Sequence, residues 1–256
     1  MSSMNAISAQ GIQKKFGAVT AAADVQMTIA HGERVSLIGS NGAGKTTFVN
    51  MLTGYIKPDA GEIMLDGQSI IGMPPRQIAR MGVARSFQIP QLYHSLTVQN
   101  NLLAALAAQQ SNLSFLQPAK NAESVARAAE ILHRFDLLMH ADRLVSELPG
   151  GVRKLLDIAM ALTSQPKVLL LDEPTSGVSA DEKFPMMDTV MRALEGSRTT
   201  VLFVEHDMDI VLRYSQRVIA FYSGRIIADD QPLQALAMPE VKRYVTGEIS
   251  ADADHA

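Results

Sequence analysis

The stretch RVSLIGSNGAGKTT, residues 34–47, decides the fold of this chain. A short, mostly apolar run leads into a glycine-rich segment, and a segment with helical spacing follows. Two glycines followed by Lys and Thr form the pattern that cradles phosphates between a strand and a helix, because backbone N–H groups and the positive helix end both point at the phosphate oxygens. The stretch predicts a strand over residues 34–39, a phosphate-binding loop, and a helix over residues 46–53.

The loop predicts ATP and Mg²⁺ as cofactors. We expect Lys45 to place a positive charge at the β- and γ-phosphates and Thr46 to supply a hydroxyl group to Mg²⁺. An ordinary glycine turn is the competing interpretation, and the strand before the loop and the helix after it argue against that. The residues predicted to bind ATP here are Gly39, Ser40, Asn41, Gly42, Ala43, Gly44, Lys45, Thr46 and Thr47.

A second motif places two carboxylates at the end of an apolar run. Residues 168–171 read VLLL, and Asp172 and Glu173 follow. In open α/β sheets, ligands bind beyond the C-terminal ends of the strands. We therefore expect Asp172 to lie in the Mg²⁺ shell and Glu173 to polarise the water that attacks the γ-phosphate. Taken alone, such a pair is more often a helix cap, but the phosphate loop upstream favours catalysis.

Other short strands are predicted at residues 62–65, 200–205, 217–222 and 225–228. Continuous apolar strands that alternate with helices indicate a parallel sheet covered on both faces. The Asp66-Gly67 and Ser223-Gly224 pairs predict hairpin turns. The sequence therefore predicts the α/β class.

Composition restricts the class of protein further. The chain has 256 residues, of which 47% are hydrophobic and 19% charged, so it is a folded chain of one or two domains. Its net charge of -3 argues against a nucleic-acid partner. The absence of cysteine excludes disulfides and thiolate metal sites. We see no signal peptide, and the longest apolar run, residues 102–108, is too short for a membrane span, which needs about 20 residues. We therefore expect a soluble or peripheral protein.

The middle of the chain is unusual because residues 86–119 contain no Asp, Glu, Lys or Arg. We predict this segment to be mostly helical. It is either an uncharged insert that packs on its own domain or a surface that docks another protein, since charge is depleted at interface cores. Residues 247–256 are small, polar and acidic, and we predict a disordered tail there.

Taken in order, these motifs resemble the ATP-binding subunits of ABC transporters. The phosphate loop, Gln88, residues 148–152, Asp172-Glu173 and His206 follow that family's order, and the resemblance covers about residues 7–245. Within the family, the segments GMPP, IAR and GVARSFQ, at residues 72–75, 78–80 and 82–88, are most similar to branched-chain amino-acid importers. The resemblance implies a P-loop NTPase of residues 1–246 with a RecA-like parallel-sheet core, an antiparallel β subdomain and a helical subdomain at about residues 89–164.

The resemblance also assigns roles to single residues. Phe16 fits the position whose ring stacks on adenine, although a Phe near a strand end can equally be a core residue. Gln88 fits the loop that touches Mg²⁺ and the attacking water, and His206 fits the contact with the γ-phosphate. Residues 89–98 would line the groove for a cytoplasmic helix of the permease. The implied catalytic residues are Glu173, His206 and Gln88, and the implied metal ligands are Thr46, Gln88 and Asp172.

The chain departs from the family pattern at two places. The signature segment, usually Leu-Ser-Gly-Gly-Gln, here consists of Leu148, Pro149, Gly150, Gly151 and Val152. Pro149 lacks the hydroxyl group that donates to the γ-phosphate bound by the other subunit. Val178-Ser179 replaces the usual Leu-Asp. Both departures affect parts that the chain lends to its partner, so we predict a heterodimer with unequal sites.

Two basic residues, Arg153 and Lys154, follow the signature segment. They have the wrong sign for the positive end of the helix that we predict there. A nearby bound anion would explain them, and so would simple exposure to water. The sequence leaves both explanations open.

The resemblance implies an Mg²⁺-dependent ATPase that powers an importer for branched-chain amino acids or related small amides. Its partners would be a second ATP-binding subunit, integral permease subunits and, indirectly, a periplasmic or extracellular solute-binding protein. It would lie in the cytoplasm, on the inner face of the cell membrane. The alternatives are a urea- or lipopolysaccharide-type transport system and a regulatory subunit with weak hydrolysis. A DNA-repair, chromosome or translation ATPase is disfavoured because there is one phosphate loop and no sustained heptad pattern.

Overall fold

The computed structural model describes residues 5–109 and 121–247. These residues form two compact units, the first from residues 5–83 and 200–247 and the second from residues 84–109 and 121–199. The predicted acidic tail lies outside the described residues, apart from Gly247. Among the residues that the structure describes, no helix is both long and apolar enough to span a membrane.

The secondary structure alternates between strands and helices along the chain. The strands are β1 Ile7–Phe16, β2 Val19–Ile29, β3 Arg34–Gly39, β4 Ala60–Leu65, β5 Gln68–Ser69, β6 Val83–Ser86, β7 Val168–Asp172, β8 Thr200–Val204, β9 Arg217–Tyr222 and β10 Arg225–Asp230. The α-helices are α1 Lys45–Leu52, α2 Pro75–Arg80, α3 Val98–Gln109, α4 Ala122–Arg134, α5 Gly150–Leu162, α6 Ala180–Leu194, α7 Met208–Tyr214, α8 Pro232–Ala237 and α9 Pro239–Val241. Short 3₁₀ turns lie at Leu138–His140 and Val145–Glu147, and a π turn at Lys242–Thr246.

An antiparallel sheet in the first unit has the strand order β2-β1-β4-β5. Ile7 of β1 faces Ile29 on one side and Leu65 on the other, and all three are buried. The turn after β4 has positive φ at both Asp66 and Gly67, 50° and 77°, as a type I′ hairpin requires. The predicted hairpin turn is confirmed.

The other sheet of the first unit places β3 between β8 and β9, parallel to both, and β10 pairs antiparallel with β9. Every residue of β8 is buried, and so is β3 apart from Arg34. This confirms the prediction that the continuous apolar runs are strands covered on both faces. Phe48 of α1 packs on Phe221 of β9, with ring centroids 6.0 Å apart. The phosphate loop thus leaves the sheet from a central, rigid strand.

In the second unit, β6 and β7 are neighbours in the sheet, and β7 is wholly buried. The helices pack on one another, α3 against α4 and α5, and α5 against α6. Helix α4 begins with a reciprocal capping box, in which Asn121 and Ser124 each bond the other's main-chain N–H group. The predicted strand over residues 168–171 is confirmed and extends to Asp172.

The prediction that residues 86–119 are mostly helical is wrong for residues 87–97, which form loops and turns. Asn101, which is completely buried, gives the physical reason. Its side chain accepts from the N–H group of Tyr93 at 2.8 Å and donates to the carbonyl groups of Tyr93 and Thr97. A buried amide therefore satisfies backbone groups that a helix would have paired. Helix α3 occupies Val98–Gln109, and residues 110–120 lie outside the described part of the chain.

Candidate nucleotide site

The glycine-rich loop between β3 and α1 has a curl that only glycine permits. Gly39 has φ 153° and Gly44 has φ 110°. A Cβ atom on Gly39 would lie 2.4 Å from the carbonyl oxygen of Phe221, and one on Gly44 would lie 2.3 Å from that of Ala21. Side chains do not tolerate such distances, so backbone packing on both sides fixes the loop before any ligand binds.

Lys45 directs its ammonium group into this curl. The residue is 5% exposed, and its Nζ donates to the carbonyl oxygens of Gly39 at 2.6 Å and Ser40 at 3.1 Å. Lys45 also begins α1, whose first turn contains no acidic residue. A cation and a positive helix end therefore coincide, and this combination attracts phosphate.

His206 lies at the same edge of the sheet as the loop. Because β8 runs parallel to β3, with Val204 beside Leu37, the C-terminal ends of the two strands are adjacent. His206 follows β8 and is exposed, whereas Glu205 before it is 3% exposed. The Glu205 carboxylate accepts from the N–H group of His206 at 3.1 Å, which fixes the backbone from which the imidazole projects.

Phe16 is not a core residue. It ends β1, it is 48% exposed, and the ammonium group of Lys14 lies 5.3 Å from the centre of its ring. An aromatic face that remains half exposed on a strand end is available to a flat ligand.

In the second unit, Asp172 ends β7 and is 7% exposed. Its carboxylate forms an ion pair with Arg85 of the neighbouring strand β6. The Arg85 guanidinium also lies 4.9 Å from the ring centre of Phe87. Pairing explains how a buried carboxylate is tolerated at this strand end.

Gln88 and Glu173 are in direct contact. The Gln88 amide nitrogen donates to the Glu173 carboxylate at 2.6 Å. Glu173 has φ 47°, a left-handed conformation that costs a residue other than glycine free energy and tends to occur at functional sites. The second unit thus brings Asp172, Glu173 and Gln88 together at the ends of β6 and β7.

Two residues of α5 complete this cluster, and sequence reasoning did not assign them to it. The sequence left Lys154 either exposed to water or facing a bound anion, whereas the structure buries it: it is 5% exposed and donates to the carbonyl oxygens of Gln88 and Glu173. Asp157 accepts from the Ser86 hydroxyl at 2.6 Å and from the N–H groups of Phe87 and Gln91. The sequence does carry a signal for both, since each is a charged residue on a helix whose other buried positions are apolar.

Burial raises the pKa of the Asp157 carboxyl group above its ordinary value of 3.8. Its hydrogen bonds from Ser86, Gln91 and Phe87 and the charge of Lys154 act in the opposite direction, and burial outweighs them. Asp157 thus holds residues 86–91 through three hydrogen bonds, although burial disfavours its charged form.

The signature segment runs into α5, which begins at Gly150 after Pro149. A Cβ atom on Gly150 or Gly151 would make only ordinary contacts, the nearest at 3.5 and 3.7 Å. Packing within this chain therefore does not demand glycine at either position. Ser179 lies before α6, and its hydroxyl donates to the Glu182 carboxylate at 3.0 Å.

A glycine-rich loop follows the central parallel strand β3, and the buried side chain of Lys45 points into it. This arrangement defines a P-loop nucleotide-binding protein of the α/β class. The family model for ABC transporters matches residues 22–176. The chain belongs to the ABC transporter family, and it is the ATP-hydrolysing subunit that drives an importer. Subunits of this kind dimerise and work with membrane permease subunits.

Relatives match nearly the whole chain. The high-affinity branched-chain amino acid transport ATP-binding protein LivG of Escherichia coli is 39% identical, covering 94% of this chain and 98% of the relative. The corresponding protein BraF of Pseudomonas aeruginosa is 35% identical, covering 93% and 96%. A crystal structure of an ATP-binding cassette of an ABC transporter in its ADP conformation superposes with TM-score 0.82 at 31% identity, covering 94% and 98%. The predicted P-loop fold is confirmed, and the alternative functions are not favoured.

Proposed function

We propose that this chain powers the uptake of branched-chain amino acids. The observation that carries the proposal is its similarity, over more than nine tenths of both chains, to ATP-binding proteins named for that transport in Escherichia coli and Pseudomonas aeruginosa. The solute itself is selected by other subunits, so the proposal extends to this chain through its family.

ATP binds with Mg²⁺, and this chain offers suitable groups for both. The phosphate loop and Lys45 bind the phosphates, and Phe16 stacks on adenine. Thr46, Gln88 and Asp172 supply hydroxyl, amide and carboxylate oxygens, the donors that Mg²⁺ prefers. The described residues contain no group of three His, Cys, Asp or Glu that would hold a metal alone. We propose that the metal is held jointly with the nucleotide phosphates, whose charge it would neutralise.

Glu173 is the general base in this proposal. The Gln88 amide at 2.6 Å restricts its carboxylate to one orientation, which favours proton removal from a positioned water. His206 contacts the γ-phosphate from the end of β8. Each role rests on placement at a strand end and on the family resemblance.

We further propose that the chain pairs with a second, different ATP-binding subunit. Glycine at 150 and 151 is not demanded by packing within the chain, which supports an external group approaching the N-terminus of α5. That group is the nucleotide held by the partner, and Pro149 contributes no hydroxyl to it. Residues 89–98 receive the permease; Ile89 and Tyr93 there are 75% and 58% exposed. The chain thus lies on the inner face of the membrane, and a solute-binding protein acts outside.

Purification and reconstitution test this proposal. The tagged chain is isolated from mild detergent with its membrane subunits, the subunits are identified, and the assembly is reconstituted into vesicles with ATP on the side of this chain. We expect ATP-dependent uptake of labelled leucine, isoleucine or valine in the presence of the solute-binding protein. Glu173→Gln should reduce ATP hydrolysis at this chain's own site by about 100-fold or more while ATP binding is retained, so that only the slower turnover at the partner's site remains.

Three results would contradict parts of the proposal. Uptake of urea in place of leucine would overturn the solute. Hydrolysis at the wild-type rate in Glu173→Gln would overturn the role of that carboxylate. Recovery of one kind of ATP-binding subunit would exclude the heterodimer.

A further inference from the structure

Lys154 is a buried cation at an unfavourable position. It is the fifth residue of α5, near the N-terminal end of that helix, and it is 5% exposed. Removing a charge from water is costly unless hydrogen bonds compensate it. The hydrogen bonds of its ammonium group must therefore compensate the burial of Lys154.

The contacts of Lys154 join two separate segments of the second unit. Its Nζ donates to the carbonyl oxygen of Glu173, at 3.2 Å, and to that of Gln88. Gln88 follows β6 and Glu173 follows β7, so one ammonium group ties the main chains beyond two strands to each other. An ammonium group has three N–H donors and no acceptor, which suits it to bridging carbonyl groups.

The same two residues also meet through their side chains. The Gln88 amide holds the Glu173 carboxylate at 2.6 Å, while the Glu173 backbone has the strained φ of 47°. A strained backbone persists only where its surroundings fix it. With Lys154 removed, the Glu173 carbonyl loses a charged donor, and the carboxylate loses its defined distance from Gln88.

One turn along α5, Asp157 holds the start of the Gln88 segment through Ser86, Phe87 and Gln91. Helix α5 thus holds residues 86–91 through the carboxylate of Asp157, and the ammonium group of Lys154 connects Gln88 to Glu173. The hydrogen bonds of Asp157 go to Ser86, Phe87 and Gln91, whereas Lys154 also bonds Glu173. Of the two residues, we therefore assign to Lys154 the positioning of the general base.

We propose that Lys154 is a positioning residue for ATP hydrolysis, which fixes the Glu173 carboxylate by bridging the main-chain carbonyl groups of Gln88 and Glu173. This inference rests on the proposed role of Glu173. It predicts an effect on the chemical step and little effect on ATP binding, because the hydrogen bonds of Lys154 reach the backbone of the general base.

Lys154→Met tests this in the intact, purified transporter assembly, because Met keeps the length of the side chain and removes its charge. We expect kcat to fall about 10- to 100-fold while KM for ATP changes less than about threefold. Lys154→Arg should restore part of kcat, since it keeps the donors. The matched control is Arg127→Met. Arg127 donates to the carbonyl oxygen of Thr163 at the other end of α5, at 2.8 Å, so its loss loosens the same helix away from Glu173.

A chemical variant separates positioning from folding. The chain has no cysteine, so Lys154→Cys introduces the only thiol. Alkylation with bromoethylamine in denaturant, followed by refolding beside untreated wild type, restores an ammonium group at nearly the lysine length. We expect kcat per bound ATP to recover at least fivefold on alkylation.

The outcomes distinguish this inference from the function on which it rests. Equal kcat in Lys154→Met and Arg127→Met, or equal kcat with and without the restored ammonium group, would overturn the positioning role. A rise in KM that accounts for the whole loss would also overturn it. If Glu173→Gln kept wild-type turnover, the assignment of the base would fail, whatever Lys154 did.

Discussion

At the scale of single residues, the second unit is organised by charges that are buried and paired. Arg85 holds Asp172, Lys154 holds the backbone of Glu173, and Asp157 holds the segment that carries Gln88. Breaking a buried pair by removing one partner costs more than the pair contributes, because it leaves the other charge without compensation. We therefore expect Arg85, Lys154 and Asp157 to affect activity through the positions of the residues that they hold.

Asp157→Asn gives the residue-scale prediction. An amide presents one acceptor where the carboxylate presents two, so its NH₂ group faces the donors of Ser86, Phe87 or Gln91. We expect the free energy of unfolding to fall by about 1–3 kcal/mol, measured by urea denaturation of the full chain. Glu123→Gln, on the exposed first turn of α4, is the control and should change little.

The effect of pH on that loss has a definite sign. Burial raises the folded-state pKa of Asp157 above 3.8, so the folded state binds the proton more tightly than the unfolded state does. Ionisation then costs stability as the pH rises through the folded-state pKa, and Asp157→Asn lacks this titration. The advantage of wild type over the variant should shrink as the pH rises from below 3.8 to neutral. An advantage that grows over this interval would contradict the raised pKa.

At the scale of elements, the conformation of the phosphate loop is set by backbone packing. Its course depends on the packing of β3 against β9 and of Gly44 against the carbonyl group of Ala21 in β2. The element therefore exists only as part of the first unit's two sheets, and its glycines serve packing as well as turn formation.

A comparison of Gly44→Ala with Gly72→Ala separates the effect of close packing from the effect of positive φ. Both glycines have positive φ, 110° and 77°, so alanine is strained at each. A Cβ atom on Gly72 meets nothing within 4 Å, whereas one on Gly44 lies 2.3 Å from the Ala21 oxygen. We expect Gly72→Ala to cost about 1 kcal/mol and Gly44→Ala about 3 kcal/mol, with weaker ATP binding in the latter alone. Chemical denaturation and nucleotide titration measure both; equal losses would refute the packing argument.

At the scale of the whole molecule, we propose that this chain carries the groups for its own ATP and lends an altered signature segment to its partner's ATP. Pro149 begins α5 without a side-chain cap, and Ser179 is engaged with Glu182. Two ATP sites of unequal activity follow if the partner carries the usual signature.

Pro149→Ser tests the inequality in a Glu173→Gln background, where the chain's own site is blocked. The remaining turnover then reports the partner's site, and a restored hydroxyl donor should raise it about 10- to 100-fold, since a charge-assisted hydrogen bond contributes about 1.5–3 kcal/mol. The corresponding Pro149→Ala variant is the control for loss of the ring. No increase over Pro149→Ala would end the proposal. Complete loss of turnover in the background alone would indicate two copies of this chain.

Much of this architecture was predictable because local rules determine it. The strand, the glycine loop and the helix of residues 34–52, the buried strand ending at Asp172, and both hairpin turns follow from apolar runs and from glycine placement. The coil of residues 87–97 was not predictable in this way. Its apolar and amide residues, apart from Pro90, suit a helix, and a completely buried Asn101 from the next helix fixes the course of the loop.

The amino-acid sequence by itself determined the P-loop class, the family and the candidate groups of the chain's own site, because spacing within one loop or at one strand end sets those positions. Only the tertiary structure decided what Lys154 and Asp157 do. Their partners lie 66 and 19 residues away for Lys154 and 66 to 71 residues away for Asp157, and no local pattern encodes such pairs. A charged side chain on a helix is stable either in water or where other groups hydrogen-bond to it. For Lys154 and Asp157, only the fold brings those groups into place.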